Sequence, residues 1–236
     1  MSFSPPIPPS PRSRPRVIAF DVVETLFSLA PVRRRLSDLG LPDGALEVFF
    51  ARLLRNAFAL DASGTFMPFG KVARATLEGM LAAEDLAVDD GKIDQALGGF
   101  AELPAHPDVA PAFQLLQQDG VRIMALTNGS ADNTLQLLKR AGLAAFVERV
   151  ISIDEIGRWK PRREVYLHAA EVAGVPPDDL ALVAAHAWDV HGASRAGLVT
   201  GWVSRLEKHF DSSMNPPDVA ADTLDEACRK LLDPPG

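Results

Sequence analysis

The chain reads as an α/β protein: a parallel sheet with helices on both faces and an all-helical block inserted after the first strand. Three observations predict this. Short apolar runs at 17–20, 121–126 and 180–185 each stop abruptly at a polar residue, as buried parallel strands do. Beyond residue 105 helical and strand patterns alternate, the signature of strand–helix units in one sheet. Between residues 31 and 104 the periodicity is helical and no strand pattern stands out.

The first strand, Val17-Ile18-Ala19-Phe20, runs into Asp21, with Thr25 one short turn further on. Ligands of open α/β sheets bind just outside the carboxyl ends of the strands, so Asp21 lies where a reactive group belongs. Taken alone, the segment reads equally well as a turn or cap carboxylate. In the block that follows, Leu46, Phe49, Phe50, Leu53, Leu54, Ala57 and Phe58 form one apolar helical face. A turn at Ser63-Gly64 leads to a second helix over about 70–83, and a weaker one is expected near 92–100. Leu103-Pro104-Ala105-His106-Pro107 closes the block. Its place after the first strand makes it a cap over that strand's carboxyl end. The division expected is a proline-rich tail over 1–15, a core over 16–30 and 105–236, and a cap over 31–104.

The core continues with a helix over 109–118, a strand over 121–126 that stops at Thr127-Asn128-Gly129-Ser130, and a helix to Ala141 closed by Gly142. A short strand over 149–152, a loop with Trp159-Lys160-Pro161 and a helix over 163–173 ended by Gly174 follow. The strand at 180–185 ends in His186-Ala187-Trp188-Asp189, a short helix reaches Gly197, and 199–203 reads as the last strand. A terminal helix covers 224–232 and carries Cys228, for which packing is the plain role.

The composition of the 236 residues, 47% hydrophobic and 23% charged, suits one domain with a large insertion or two modest ones. A formal charge of −7 argues against a nucleic-acid partner, which needs a basic face. The run Arg33-Arg34-Arg35 reads as one solvated helix face. A single cysteine excludes an internal disulfide framework and cysteine-based metal sites, and fits a reducing compartment. No apolar run is long enough to span a membrane. The proline-rich start lacks the apolar core of a signal peptide, so a cytoplasmic location is expected.

Three strand ends therefore carry polar groups, Asp21, Thr127-Asn128 and His186 to Asp189, with Lys160 in a loop between the second and third. In a parallel sheet these ends share one edge and can converge. In this order they resemble the motifs of the haloacid dehalogenase superfamily of hydrolases. That resemblance implies a Rossmann-like core, with Asp21 as nucleophile, Thr127 holding the substrate's anionic group, Lys160 balancing charge and Asp189 closing the site. The block over 31–104 matches the superfamily's inserted cap. Leu126-Thr127-Asn128-Gly129-Ser130, Trp159-Lys160-Pro161 with Val165-Tyr166, and Ala187-Trp188-Asp189 are similar to the L-2-haloacid dehalogenase branch. The branch likeness also hints at a homodimer.

Phosphatases of the superfamily carry an aspartate two residues after the nucleophile to protonate the leaving alcohol; here that position is Val23, a hydrocarbon that cannot. Halide leaves as a stable anion and needs no proton. The resemblance therefore implies that Asp21 attacks the halogen-bearing carbon of a short 2-haloalkanoic acid, forming an ester that water then hydrolyses. Thr127 and N–H groups near Asn128 would bind the carboxylate, Asp189 with His186 would handle the water, and Thr25 would steady the nucleophile loop. Val22, Val23, Phe58 and Trp188 are further candidates for the substrate pocket. No cofactor is expected, and Mg²⁺ only if the chain is instead a phosphatase.

Several positions depart from the branch pattern. Glu24 replaces a usual glycine, and Ala184-Ala185-His186 replaces Ser-Ser-Asn. His186 can move protons near neutral pH or serve as a hydrogen-bonded loop residue. An ungapped comparison puts Phe50 where the branch has its halide-binding arginine. Arg52 or Arg55 could substitute, the halide pocket could be apolar, or the substrate could be another compound. The alternatives kept open are a Mg²⁺-dependent phosphatase of a small phosphoester and a non-catalytic binding protein on the same scaffold.

Overall fold

The computed structural model describes residues 14–233. Most of the tail expected over 1–15 lies outside them. The described residues form a six-stranded parallel sheet and nine α-helices. The strands are β1 (Val17–Phe20), β2 (Arg122–Thr127), β3 (Val147–Ser152), β4 (Leu180–Ala184), β5 (Val199–Val203) and β6 (Val219–Ala221), in the spatial order β3-β2-β1-β4-β5-β6. The fold class read from the sequence is the one observed.

β1 lies between β2 and β4, with Phe20 level with Ala125 on one side and Val183 on the other. This register puts the ends of β1, β2 and β4 side by side, at the point where the strand order reverses and ligands bind. Every residue of β1 and β4 is buried, which is why both read as unbroken apolar runs. Helix α5 (Val109–Gln118) covers β1 through Phe113, whose ring centre is 5.2 Å from that of Phe20. It packs against α9 (Leu224–Leu232), where Cys228 is buried and its thiol pushed up to about 12 by burial.

Four helices fill the insert: α1 (Ala30–Asp38), α2 (Ala45–Ala62), α3 (Phe69–Ala83) and α4 (Asp90–Leu97). The weak third helix begins two residues earlier than expected and ends in a tight turn over 98–101. The chain leaves and re-enters the sheet layer through two paired segments. Ser28 N–H donates to Pro104 O, and His106 N–H donates to Leu26 O, both at 2.9 Å.

Two features depart from expectation. β6 follows the strand read as the last; it is three residues long and paired only with β5, too short for a periodic signal. Glu24, at the branch's glycine position, has a φ of +66°. A side chain there costs about 1–2 kcal/mol, which Glu24 offsets by accepting the Leu29 N–H at 2.7 Å, at the start of α1.

Helices α7 (Arg163–Ala173) and α8 (Ala187–Ala196) pack together at Gly192. A Cβ built there would lie 2.6 Å from both Pro161 Cβ and the Tyr166 hydroxyl. Gly192→Ala is therefore expected to lose about 1–3 kcal/mol in urea unfolding, the usual cost of overpacking. Unchanged stability would show that the two helices can separate freely.

Candidate active site

β1 delivers Asp21, whose N–H still bonds Val183 O at 3.0 Å. Its carboxylate is buried and held on both oxygens. Oδ1 accepts from Lys160 Nζ at 2.7 Å, and Oδ2 accepts from the Thr25 hydroxyl at 2.7 Å. Thr25 Oγ1 in turn accepts the Ala185 N–H at 2.9 Å, tying the loop after β1 to the end of β4.

Lys160 is fully buried, and its ammonium has three donors and three acceptors in place: Asp21 Oδ1, Asp189 Oδ2 at 2.7 Å and Leu126 O at 3.0 Å. Its backbone N–H donates to Asn128 Oδ1 at 3.1 Å, so the Asn128 side chain clamps the lysine loop. Asp189, in the first turn of α8, accepts from Lys160 on Oδ2 and from the Tyr166 hydroxyl at 2.6 Å on Oδ1.

These contacts set the charges. Burial alone would raise Asp21, but the Lys160 ammonium, then His186, outweigh it and hold the carboxyl well below its ordinary 3.8. Burial pulls Lys160 down, while the charges of Asp189 and Asp21 lift it above its ordinary 10.5. Asp189 moves up from its ordinary value through burial, with Lys160 pulling against that rise. Asp21 is thus the anion the site protects best.

A small cavity of about 20 Å³ lies over Asp21, room for one small group. Val23, Phe50, Leu54, Thr127, His186 and Trp188 are among its walls. It shares Val23, Phe69, Thr127 and Gly129 with an adjoining cavity of about 260 Å³. His186 stacks on Phe50 with ring centres 5.7 Å apart and lies 5.4 Å from Trp188. Its Nδ1 is buried and faces Asp21 Oδ2 at 3.4 Å. Thr127 is buried, its Oγ1 accepting the Gly129 N–H at 2.9 Å. That loop opens helix α6 (Ala131–Arg140), capped by Ser130.

The structure brings together Asp21, Thr25, Thr127, Asn128, Lys160, His186, Trp188 and Asp189. Other candidates sit apart. Val22 is buried and lines only the adjoining cavity. Phe58 is not among the small cavity's walls and packs edge-on against Trp188 at 5.4 Å. Arg52 and Arg55, one of the alternatives for the missing arginine, are not among the small cavity's walls. Arg52 is half-buried; Arg55 is exposed, with its guanidinium on Asn56 Oδ1. The helix turns about 100° per residue, so Phe50 and Leu54 share the inward face and the arginines do not. Asp189 also stands outside the cavity walls, behind Lys160.

Tyr166, named above only as part of the branch likeness, acquires a role here through its bond to Asp189. It is the only tyrosine of the chain, and a buried phenol needs a hydrogen-bond partner. The facing oxygens of Asp21 and Asp189 share an ammonium, and Val23 supplies no third carboxylate. Among the described residues no group of three or more His, Cys, Asp and Glu is placed to hold a metal, and no helix is long and apolar enough to cross a membrane.

A family model described as haloacid dehalogenase-like hydrolase matches residues 15–197. (S)-2-haloacid dehalogenase 1 of Pseudomonas sp. (strain CBS-3) is 26% identical over 219 residues, covering 92% of this chain and 96% of that protein. Glyceraldehyde 3-phosphate phosphatase of Methanopyrus kandleri is 34% identical over 135 residues, 57% of this chain and 58% of that one. Among solved structures, L-2-haloacid dehalogenase from Xanthobacter autotrophicus superposes with a TM-score of 0.84 at 22% identity, covering 92% of this chain and 98% of that one.

The buried triad yields a stability prediction with a defined sign. A carboxylate with a depressed pKa stabilises the fold above its ordinary value, and that contribution fades as pH falls through the folded value. Lys160→Met leaves two buried carboxylates without a cation, which costs about 3–5 kcal/mol near neutral pH. Protonation of the orphaned acids relieves this, so the deficit against wild type should shrink from pH 7.5 to pH 4.5 in urea unfolding. A deficit independent of pH would contradict the assignment.

Proposed function

This chain belongs to the haloacid dehalogenase-like hydrolases, and from that premise we propose that it removes halide from a short 2-haloalkanoic acid, as (S)-2-haloacid dehalogenases do. The observation that carries this reading is the Asp21–Lys160 pair beside Val23: an ionised nucleophile without the acid that an alcohol leaving group requires. We also take residues 31–104 as a cap domain and the enzyme as cytoplasmic, acting on a small anionic molecule without a metal or other cofactor.

In the first step an Asp21 oxygen attacks the carbon bearing the halogen. The C–O bond forms, the C–halogen bond breaks, and its electron pair departs with the halide. Thr127 and the N–H groups of the loop opening α6 bind the substrate carboxylate. The halide leaves toward a wall of Phe50, Leu54 and Trp188, with no guanidinium to receive it. Lys160 keeps Asp21 ionised, with Asp189 and Tyr166 holding the ammonium in line.

In the second step water adds to the Asp21 carboxyl carbon, and the tetrahedral adduct collapses to free Asp21 and the 2-hydroxy acid. His186 takes the water's proton. This role is supported by its place in the cavity wall and by its Nδ1, which faces Asp21 Oδ2 at 3.4 Å and loses that anionic partner when Asp21 is esterified.

Halide release from chloroacetate, fluoroacetate and 2-chloropropionate, with and without EDTA, tests the reaction. At least one substrate should release halide equally in both conditions, and Asp21→Asn should lose at least about a thousandfold. Turnover of a phosphoester that requires Mg²⁺, with no halide from any acid, would replace this reading with the phosphatase one. His186→Asn should slow ester hydrolysis roughly a hundredfold, so that the aspartyl ester accumulates in rapid-quench mass spectrometry. An unchanged ester lifetime would remove His186 from the second step.

A further inference from the structure

The loop that carries Lys160 is gripped from the helical insert by a buried acid outside the cavity. Asp61, near the end of α2, is only 4% exposed. Its Oδ1 accepts the Trp159 backbone N–H at 3.2 Å, its Oδ2 accepts Arg162 Nε–H, and its carbonyl accepts Arg162 Nη2–H at 3.1 Å. Nearby, Met67 O accepts the Trp159 indole N–H at 3.0 Å. Trp159 is fully buried, and its ring centre lies 6.2 Å from that of Phe69.

A buried carboxylate is costly unless its charge and lone pairs are matched. Asp61 matches them with the residue before Lys160 and with one two residues after it. Lys160's own N–H is fixed from the other side by Asn128. The short segment over 159–162 is therefore held between insert and core, and from that position Lys160 reaches both carboxylates.

We propose that Asp61 is a positioning residue for Lys160: it locks the 159–162 loop so that the ammonium stays between Asp21 and Asp189. Seating of the helical insert on the core then sets the charge balance at the nucleophile. If the insert lifts, Trp159 N–H and the Arg162 guanidinium lose a buried acceptor, and the lysine loses its alignment.

The idea rests on Asp21 and Lys160 being the reacting pair, so its test reads Lys160 without turnover as well as through it. A buried ammonium with three acceptors exchanges its protons slowly and gives a ¹⁵N–¹H resonance that solvated lysines lack; Lys160→Met assigns it by loss. In Asp61→Ala and Arg162→Gln, Nζ proton exchange should accelerate on the order of tenfold or more. The kcat for halide release should fall roughly ten- to a hundredfold, with KM changed less than about threefold. Asp61→Asn, which keeps an acceptor for Trp159 N–H, should fall between them and wild type, and it carries the test if Asp61→Ala does not fold. A Lys160 resonance exchanging at the wild-type rate in these variants overturns the proposal, whatever happens to Tm. Absence of halide release by the wild type would count against the dehalogenase reading alone, because the exchange measurement still decides the role of Asp61.

Discussion

A fully buried ammonium is the constraint on which the rest of this site depends. Moving a lysine charge out of water costs several kcal/mol, and only close opposite charges with good geometry repay it. Lys160 meets that demand with Asp21, Asp189 and Leu126 O. Each acceptor comes from a different element: the end of β1, the first turn of α8 and the strand β2. The parallel register that sets those ends side by side is thus a condition for burying the lysine at all. Conversely, without the lysine the same register would crowd two carboxylates in a dry space.

The departures from the dehalogenase pattern look coherent around this centre. Ala184 and Ala185 replace two serines, yet Ala185 still contributes, through its backbone N–H to Thr25. The Asp189 oxygen not used by Lys160 is satisfied by Tyr166. Glu24 adopts the backbone conformation of a glycine and uses its carboxylate to bond the start of α1. The largest change is in the cavity wall, where aromatic and aliphatic groups stand in place of a guanidinium and His186 brings a ring nitrogen within 3.4 Å of the nucleophile.

How much of this could be read beforehand follows from how each residue announces itself. Asp21, Thr127 and Asp189 were legible because an apolar strand that stops at a polar residue leaves a sharp edge in the sequence, and Lys160 followed from its order among them. Arg52 and Arg55 show that nearness along a helix says little about facing: both lie outside the small cavity's walls. The role of Tyr166 and the part played by Asp61 were hidden for another reason: their partners are remote in sequence. Asp61 meets Trp159 across 98 residues, and no local pattern encodes that encounter. β6 is a three-residue edge whose strand character comes from its pairing with β5.

The central claim is that Asp21 itself becomes esterified and is then regenerated by water. Turnover of 2-chloropropionate in H₂¹⁸O, followed by mass spectrometry of the peptide containing Asp21, tests it most directly. Repeated cycles should place ¹⁸O in the Asp21 carboxylate, and the first turnover should give a product carrying oxygen from the enzyme. Product labelled from the first turnover, with no ¹⁸O on the Asp21 peptide, would mean that water attacks the substrate directly and that Asp21 is not the nucleophile.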